Sequence, residues 1–262
     1  MEAKQALSVV SHHYQEGEQL DVAGLNRITV LVDRSQTALT EIGWNYWKAD
    51  LDGPPHFHEA KEQIFFATEG EAVVTIAAHE HRLRPNSLLH VPMGAMHRTV
   101  VVGGQPHAYL LYNAFRDSDK EGKASFSDHL SEAKHIRRRQ ADEADQGGAI
   151  DWNRIDAAGT LAEVDPTLPP AGAAELVPLI PREATLRSSA ALLRLGAGAQ
   201  LALDTDSVEW TLFALAGAGR VVAAEAAQPV DQGTVVFVPA ATPAAAVTDE
   251  GLVCLCLKTH LA

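Results

Sequence analysis

Short apolar segments separated by turn residues dominate the first half of the chain. Segments rich in Val, Ile, Leu, Thr and aromatic residues alternate with Gly, Pro and Asn, a pattern typical of β-strands joined by tight turns. The pattern predicts strands at 27–32, 37–48, 63–68, 72–77, 87–91, 98–102 and 107–113. Short strands in such a series indicate an all-β sandwich or barrel.

The second half of the chain repeats the first. A shift of 147 residues, the separation of Gly70 and Gly217, aligns "IFFATEGEAVV" with "TLFALAGAGRV" and "NSLLHVP" with "GTVVFVP", without gaps. The same shift places Glu62 on Glu209. Internal repetition over this distance predicts two domains of one fold. We place them at residues 1–116 and 175–262, with a connecting region at 117–174.

The connecting region has two parts of different composition. Residues 125–148 are rich in helix formers, with Ser127 as a candidate N-cap and two glycines at the end, which predicts a short surface helix. Residues 165–181 carry five prolines. This segment is expected to be an extended linker that lies along the second sheet as an edge strand.

The charge and composition of the chain indicate which kinds of binding partner to expect. The formal charge of −13, without a dense basic patch beyond Arg137 to Arg139, argues against nucleic acid and anionic membranes and favours a small-molecule partner. The start of the chain does not resemble a secretory signal, and no apolar run has membrane-spanning length. We therefore expect a soluble, cytoplasmic protein. Cys254 and Cys256 lie two apart in an apolar segment, which favours a reduced pair in the core.

The stretch "PPHFHEAKEQIFFATEGE", residues 54–71, carries candidate metal chemistry. His56 and His58 are alternate residues, so on a strand both imidazoles project from one face. His97, which follows "PMGAM", can return to the same interior. Three imidazoles suit a divalent transition metal and leave a position open for substrate. From the residues alone, either Glu62 or Gln63 can supply a fourth ligand.

These residues resemble the motifs of the cupin superfamily, a family of small β-barrels. The spacing of its two motifs is met by His56-Phe57-His58, Gly70, Pro92-Met93-Gly94 and His97. The resemblance implies two cupin barrels (double-stranded β-helix or jelly roll) in tandem, joined by a short helical connector. It also implies one divalent transition metal ion in the N-terminal barrel: Fe, Mn, Ni, Zn, Co or Cu.

Two positions depart from the motifs, and neither is a ligand. Asn86 stands where the second motif has glycine, a mild change because Asn also tolerates left-handed backbone. Asp50 replaces the glycine that usually precedes the histidine pair.

The family spacing also bears on the fourth ligand. Six residues separate that ligand from the motif glycine, and counting back from Gly70 gives Gln63 rather than Glu62. The recurrence of Glu62 as Glu209 suggests a structural role for this carboxylate in both halves. The implied set of three histidines and one glutamine is similar to KdgF-type and BacB-type cupins.

The second half lacks the ligand residues. Under the repeat, the positions of the four implied ligands are occupied by Leu203, Thr205, Trp210 and Ala244. We expect a degenerate, metal-free barrel with a structural role, filled by apolar side chains that include Trp210 and Phe213.

Four neutral ligands leave the ion with its full charge, which favours Lewis-acid chemistry on a carbonyl or enolate oxygen. We therefore expect an enzyme that acts on a small keto or enol metabolite by isomerisation, tautomerisation or elimination. A cupin dioxygenase and a non-catalytic binding or sensor protein are the alternatives. The catalytic acid or base stays unassigned among Tyr46, Trp47, Tyr109 and Tyr112, and a homodimer is expected by resemblance.

Overall fold

The computed structural model describes residues 7–22, 24, 26–118, 151–155, 157–223 and 226–262. These residues form two β-barrels in tandem, as the all-β prediction requires. Within them the only helical elements are two 3-10 turns, Arg34–Gln36 and Arg182–Ala184. The helix predicted at 125–148 lies outside the described residues. No helix in the described part of the chain is long and apolar enough to span a bilayer.

The first half contributes ten strands: β1 (Val10–His13), β2 (Glu18–Val22), β3 (Asn26–Val32), β4 (Thr40–Trp47), β5 (Lys61–Glu69), β6 (Glu71–Ile76), β7 (His79–Leu83), β8 (Ser87–Val91), β9 (His97–Val102) and β10 (His107–Phe115). The remaining strands are β11 (Thr160–Glu163), β12 (Ala174–Ile180), β13 (Ser188–Leu195), β14 (Gln200–Leu203), β15 (Val208–Ala223), β16 (Ala226–Asp231), β17 (Thr234–Val238) and β18 (Ala244–His260). All seven strands predicted for the first half are present.

The first barrel has two sheets that face each other. One has the strand order β11-β8-β5-β10-β4-β3-β2, and the other has the order β7-β6-β9. Their facing side chains form one apolar cluster, which includes Ile28, Phe65, Val74, Leu89 and Tyr109. Every ladder in both sheets is antiparallel, so inward and outward positions alternate along each strand.

The second barrel is built around two long strands. The first part of β15 pairs with β17 and its last part with β16, while β18 pairs with β14 and then with β13. Shifts in register between Ala214 and Ala216 and between Ala218 and Arg220 accompany the change of partner. The proline-rich linker ends in β12, which forms the edge strand beside β13 as expected.

The residues that depart from the motifs, and the repeat partner of one of them, have left-handed backbone. Asn86 has a φ of 74° and its repeat partner Gly233 a φ of 90°. Asp50, which replaces a motif glycine, has a φ of 57°. Asn and Asp adopt this region more readily than other residues with a Cβ, so both departures keep the turn.

Each barrel gains a sheet strand from a part of the chain outside its own repeat. β1, from the N-terminal region, pairs with β17 of the second barrel. β11, from the connecting region, pairs with β8 of the first barrel. Both added strands occupy the ends of their sheets, so they cover edges that would otherwise present unpaired backbone groups.

A second apolar cluster joins the two barrels. It combines the outer faces of β4, β5 and β10 with those of β13, β15, β17 and β18. Phe213 belongs here: its ring lies 5.9 Å from that of Phe66. The expectation that Phe213 fills the second barrel was wrong, because alternation on β15 turns Trp210, Leu212 and Ala214 inward instead. Cys254 and Cys256 are free thiols in that inner core, as predicted.

Two glutamates related by the repeat connect the barrels reciprocally. Glu62 on β5 accepts hydrogen bonds from the backbone N–H groups of Leu186, Arg187 and Ser188 at 3.0, 2.7 and 2.6 Å. Glu209 on β15 accepts from the N–H groups of residues 38 and 39 at 2.6 and 3.0 Å. Each carboxylate therefore holds the segment that follows the 3-10 turn of the other barrel. The structural role suggested for this repeated glutamate is confirmed.

The Glu62 carboxylate also lies 3.1 Å from Nε2 of His90, on the outer face of β8. Burial alone would raise the pKa of Glu62, but hydrogen bonds from His90 and from the backbone of Leu186 and Arg187 outweigh it and lower the pKa to about 2. Glu62 is thus charged and fully bonded between the barrels.

We predict that Glu62→Ala and Glu209→Ala each lower the free energy of unfolding by about 3 kcal/mol, because each change leaves several buried N–H donors without an acceptor. Urea denaturation measures the effect. Exposed Glu80→Ala is the matched control and is expected to change stability by less than about 0.5 kcal/mol.

The contribution of Glu62 is also expected to depend on pH in a defined direction. Its folded-state pKa is depressed, so the contribution is complete above pH 4.5 and is lost as the pH falls toward 2. The stability difference between the wild type and Glu62→Gln should shrink over that window. A difference that grows with acidification would contradict this assignment.

Candidate metal centre

The backbone brings His56 and His97 directly opposite each other. The two residues form an isolated antiparallel bridge, with N···O distances of 2.9 and 2.8 Å between their backbones. The turn that precedes His97 is fixed to the same loop, because Gly94 N–H donates to the carbonyl of His58 at 2.8 Å. The two motif segments are therefore joined by backbone hydrogen bonds before any side chain contributes.

This backbone pairing gathers three imidazoles. The ring centroids of His56 and His97 are 4.2 Å apart, and those of His58 and His97 are 5.4 Å apart. One ring nitrogen of each histidine lies within 4.8 Å of the others. His58 and His97 are buried, whereas His56 is partly exposed, so the group opens to solvent on the side of His56.

Backbone carbonyls fix the orientation of two of the rings. Nδ1 of His56 lies 2.9 Å from the carbonyl of Pro54, and Nδ1 of His97 lies 3.0 Å from that of Ala95. A carbonyl oxygen only accepts, so each Nδ1 carries the proton and each Nε2 presents a lone pair. Burial lowers the pKa of both histidines, which keeps the imidazoles in the neutral form that binds metal.

Adjacent residues on β5 point in opposite directions. Glu62 faces the second barrel, as described above. Gln63 shares the inward face with Phe65, whose ring centroid lies 6.5 Å from that of His97. The register of β5 with β10 is unbroken from Lys61 to Phe66, so no bulge reverses this order. The carboxylate that sequence spacing left as an alternative ligand is directed away from the histidines.

A chain of amide hydrogen bonds orients the Gln63 side chain. Gln63 Nε2 donates to Asn113 Oδ1 at 2.9 Å, and Asn113 Nδ2 donates to Glu41 Oε2 at 2.7 Å. Asn113 therefore presents its NH₂ group to Glu41 and its amide oxygen to Gln63. Gln63 Oε1 is left as a buried oxygen without a hydrogen-bond partner, like Nε2 of His97.

Glu41 was not singled out from the sequence. It lies at the start of β4, and alternation with Asn45 and Trp47 along that strand is the signal that places it inward. Burial raises the pKa of Glu41, while the charge of Lys61 and the hydrogen bond from Asn113 act in the opposite direction. Lys61 is itself inward on β5 and only 5% exposed.

The aromatic candidates for proton transfer are engaged elsewhere. The Tyr109 hydroxyl accepts from Asn45 Nδ2 at 2.7 Å and from Trp47 Nε1 at 3.3 Å, deep in the barrel. Tyr112 points between the barrels and contacts Thr259. Tyr46 lies under the Arg27 guanidinium.

The remaining histidine pair is not part of the group. His79 and His81 are also alternate residues, but both are on β7, directly after the turn at Ala77 and Ala78. His81 Nε2 lies 2.6 Å from the carbonyl of Ala158, and His79 is exposed.

The positions equivalent to the ligands in the second barrel have other environments. Leu203 and Trp210 lie in the inner apolar core. Trp210 Nε1 donates to the carbonyl of Asp204 at 2.6 Å, and the Lys258 ammonium lies 4.1 Å from its ring centroid. Thr205 Oγ1 donates to the carbonyl of Thr242 at 2.9 Å.

The residues of the first barrel fit a divalent transition metal. Neutral imidazoles with fixed tautomers and a buried, unpartnered amide oxygen are ligand types that such ions accept. The chain has a bicupin fold: two cupin-like barrels in tandem, of which the first holds the three grouped histidines.

The comparisons with known proteins agree. Residues 44–112 match the family model of the cupin domain. No curated protein shows significant sequence similarity to the chain. Among solved structures, protein Ylba from E. coli superimposes with a TM-score of 0.67 at 12% identity, over 98% of this chain and 92% of that one.

Two enzymes of known activity share the fold. Salicylate 1,2-dioxygenase from Pseudaminobacter salicylatoxidans superimposes with a TM-score of 0.66 at 14% identity, over 98% of this chain and 85% of the enzyme. The oxalate decarboxylase formate complex from Lactobacillus farciminis gives 0.65 at 14% identity, over 98% and 88%. Identities of this size show a common fold and leave the reaction of this chain open.

We predict that His97→Ala abolishes stoichiometric metal binding, because it removes the imidazole at the centre of the group. Elemental analysis after metal loading measures the effect, and His79→Ala, which changes an exposed histidine, is the control. A full metal load in folded His97→Ala protein would rule out this site.

We further predict that Glu41→Gln weakens metal affinity about tenfold or more, as is typical when a group that orients a ligand is lost. A glutamine at position 41 can present either its oxygen or its NH₂ group to Asn113. The orientation of Asn113 is then no longer fixed, so Gln63 is no longer kept in the orientation that leaves its oxygen without a hydrogen bond. Competition with a chelator measures the affinity, with Glu80→Gln as control. Unchanged affinity in the folded variant would show that Glu41 does not orient Gln63.

Proposed function

We propose that the chain is an enzyme that holds one divalent transition metal ion with His56, His58, Gln63 and His97. We also propose that it acts on a small keto or enol metabolite by isomerisation, tautomerisation or elimination. The observation that carries this proposal is the ligand set. Its four donors are neutral, and the neighbouring carboxylate Glu62 is committed to the other barrel. A divalent ion held in this way supplies a Lewis acid that polarises a carbonyl or enolate oxygen.

The protein residues around the group support this chemistry in two ways. The backbone-bonded rings of His56 and His97 and the bonded amide of Gln63 keep three donors in place without a substrate. Such preorganisation lowers the reorganisation needed when charge develops on a substrate oxygen. The partly exposed edge at His56 is the side from which a small molecule reaches the group.

Glu41 is the inward titratable group best suited to hold a proton near the site. Burial raises the pKa of Glu41, so this carboxyl group takes up a proton more readily than an exposed glutamate does. Glu41 is connected to Gln63 through the single amide of Asn113, so it is close to the ligand group but separated from it by one side chain. We assign it an orienting role first and a proton-holding role second.

A dioxygenase is the second candidate, because one of the structures that share the fold is described as a salicylate 1,2-dioxygenase. The two functions differ in their use of oxygen. Proton transfer beside a carbonyl needs none, whereas ring or carbon–carbon cleavage by a dioxygenase consumes it.

The experiment is carbon–hydrogen exchange in D₂O under nitrogen, with metal-loaded protein and the small ketones pyruvate and hydroxyacetone. Proton NMR is expected to show catalysed loss of the hydrogens next to the carbonyl, and Gln63→Ala is expected to slow it. Substrate-dependent oxygen uptake, measured with an oxygen electrode, would favour the dioxygenase. Exchange that requires air would favour it as well. Stoichiometric ligand binding without exchange or uptake would favour a binding protein.

A further inference from the structure

A short segment that precedes β11, residues 151–155, lies against the loops that carry the histidines; we call it the bridging segment. The Arg154 guanidinium lies 3.8 Å from the centroid of the Phe57 ring. Its Nη2 also donates to Glu59 Oε1 at 3.1 Å. Phe57 and Glu59 are the residues directly before and after His58. Arg154 therefore contacts both chain neighbours of a proposed metal ligand.

The next residue of the bridging segment reaches the other histidine-bearing loop. Ile155 is partly buried and packs against the inner apolar cluster of the first barrel. A Cβ atom at Gly94 would lie 3.7 Å from Cγ2 of Ile155, so this side chain covers the turn that precedes His97. Gly94 is also the residue whose N–H group donates to the carbonyl of His58. Two consecutive residues thus contact both of the loops that supply the three histidines.

The chain that follows the bridging segment is attached to the barrel. His81 Nε2 lies 2.6 Å from the carbonyl of Ala158. A Cβ atom at Gly159 would lie 2.6 Å from the carbonyl oxygen of His90, so the chain passes close to β8 at this point. It then continues as β11, which pairs with β8. Because one end is already fixed, the bridging segment loses less entropy when it docks on the two loops.

These contacts bear on how a metal ion leaves the site. An ion is released when its ligands detach, and the two histidine-bearing loops must then move apart or rotate. Backbone hydrogen bonds between His56 and His97 and between Gly94 and His58 already oppose this movement. Side chains that contact both loops at once favour the closed arrangement over the open one and so shift the population toward it.

We propose that the bridging segment holds the two loops together and slows release of the ion, with Arg154 as a positioning residue for His58. The inference rests on the metal site of the proposed function, but it does not rest on the proposed reaction. Coupling between two binding events is reciprocal, so an ion held by the histidines also holds the bridging segment in place.

The test follows release of Co²⁺ from the loaded full chain into excess EDTA by the visible absorption of the ion. Arg154→Ala is expected to release cobalt about three- to tenfold faster, as loss of an exposed cation–π contact and an exposed ion pair implies. Arg220→Ala is the matched control and should not change the rate. The side chains of Arg154 and Arg220 are both 43% exposed and both form an ion pair, but Arg220 bonds Asp249 in the second barrel.

Further variants separate the stacking contact from a general loss of stability. Arg154→Lys keeps a cation for the Phe57 ring and should retain most of the slow release. Phe57→Leu removes the ring and should speed release. The double variant with Arg154→Ala should release cobalt no faster than Arg154→Ala alone, because the same contact is lost once. Fully additive effects would overturn the contact as the cause. Ile155→Ala gives a second measurement if Arg154→Ala does not fold, and an unchanged rate in Ile155→Ala would then overturn the proposal.

Amide hydrogen exchange tests the reciprocal effect. Zinc loading should slow exchange in the wild-type peptide that contains residues 151–155, and should slow it less in Arg154→Ala. Absence of this protection in the zinc-loaded wild type would contradict the coupling.

The outcomes distinguish this inference from the proposed function. Equal cobalt release from the wild type and Arg154→Ala would remove the role of the bridging segment and leave the metal site and its reaction standing. Faster release from Arg154→Ala, without deuterium exchange in either ketone, would support the bridging segment and remove the proposed reaction. A wild-type chain that binds neither cobalt nor zinc would overturn both.

Discussion

The alternation of side chains along β5 is the constraint on which the rest of the molecule depends. A strand presents successive residues to opposite faces, so Glu62 and Gln63 cannot serve the same environment. Glu62 bonds the backbone of the second barrel, and Gln63 faces the histidines of the first. A slip of one residue would exchange these roles, place a charge in the barrel and leave the interface without its acceptor. The register of β5 therefore determines both the contact between the barrels and the position of Gln63 beside the histidines.

Much of the fold follows from local sequence. Tight turns at Asn86 and Gly233 need left-handed backbone, and such positions mark the repeat because few residue types tolerate them. Cys254 and Cys256 were placed in the core by their apolar surroundings. The added edge strands β1 and β11 were not predicted, because their pairing depends on distant segments and their sequences carry little apolar alternation. Phe213 was assigned to the wrong side of β15 because the sequence alone does not give the register of that strand.

The candidate site, like the fold, has one part that the sequence predicts and one part that it does not. The histidines are visible in sequence because their spacing is local to two motifs. Glu41 is not, since it acts on Gln63 only through Asn113, and these three residues belong to three different strands. Side-chain pairs across strands depend on register, which the spacing of residues along the chain does not contain. Orienting groups of this kind become evident only when the strands are assembled.

The reciprocal glutamates have a consequence for the division of roles between the two barrels. Glu209 holds residues 38 and 39 and lies 2.8 Å from the Thr40 hydroxyl, directly before Glu41. A barrel without histidines at the matching positions thus supports the strand of its neighbour from which Glu41 bonds Asn113 beside Gln63. Its contribution needs only an outer carboxylate and no chemistry in its own interior. The second barrel is then a structural support of the candidate site.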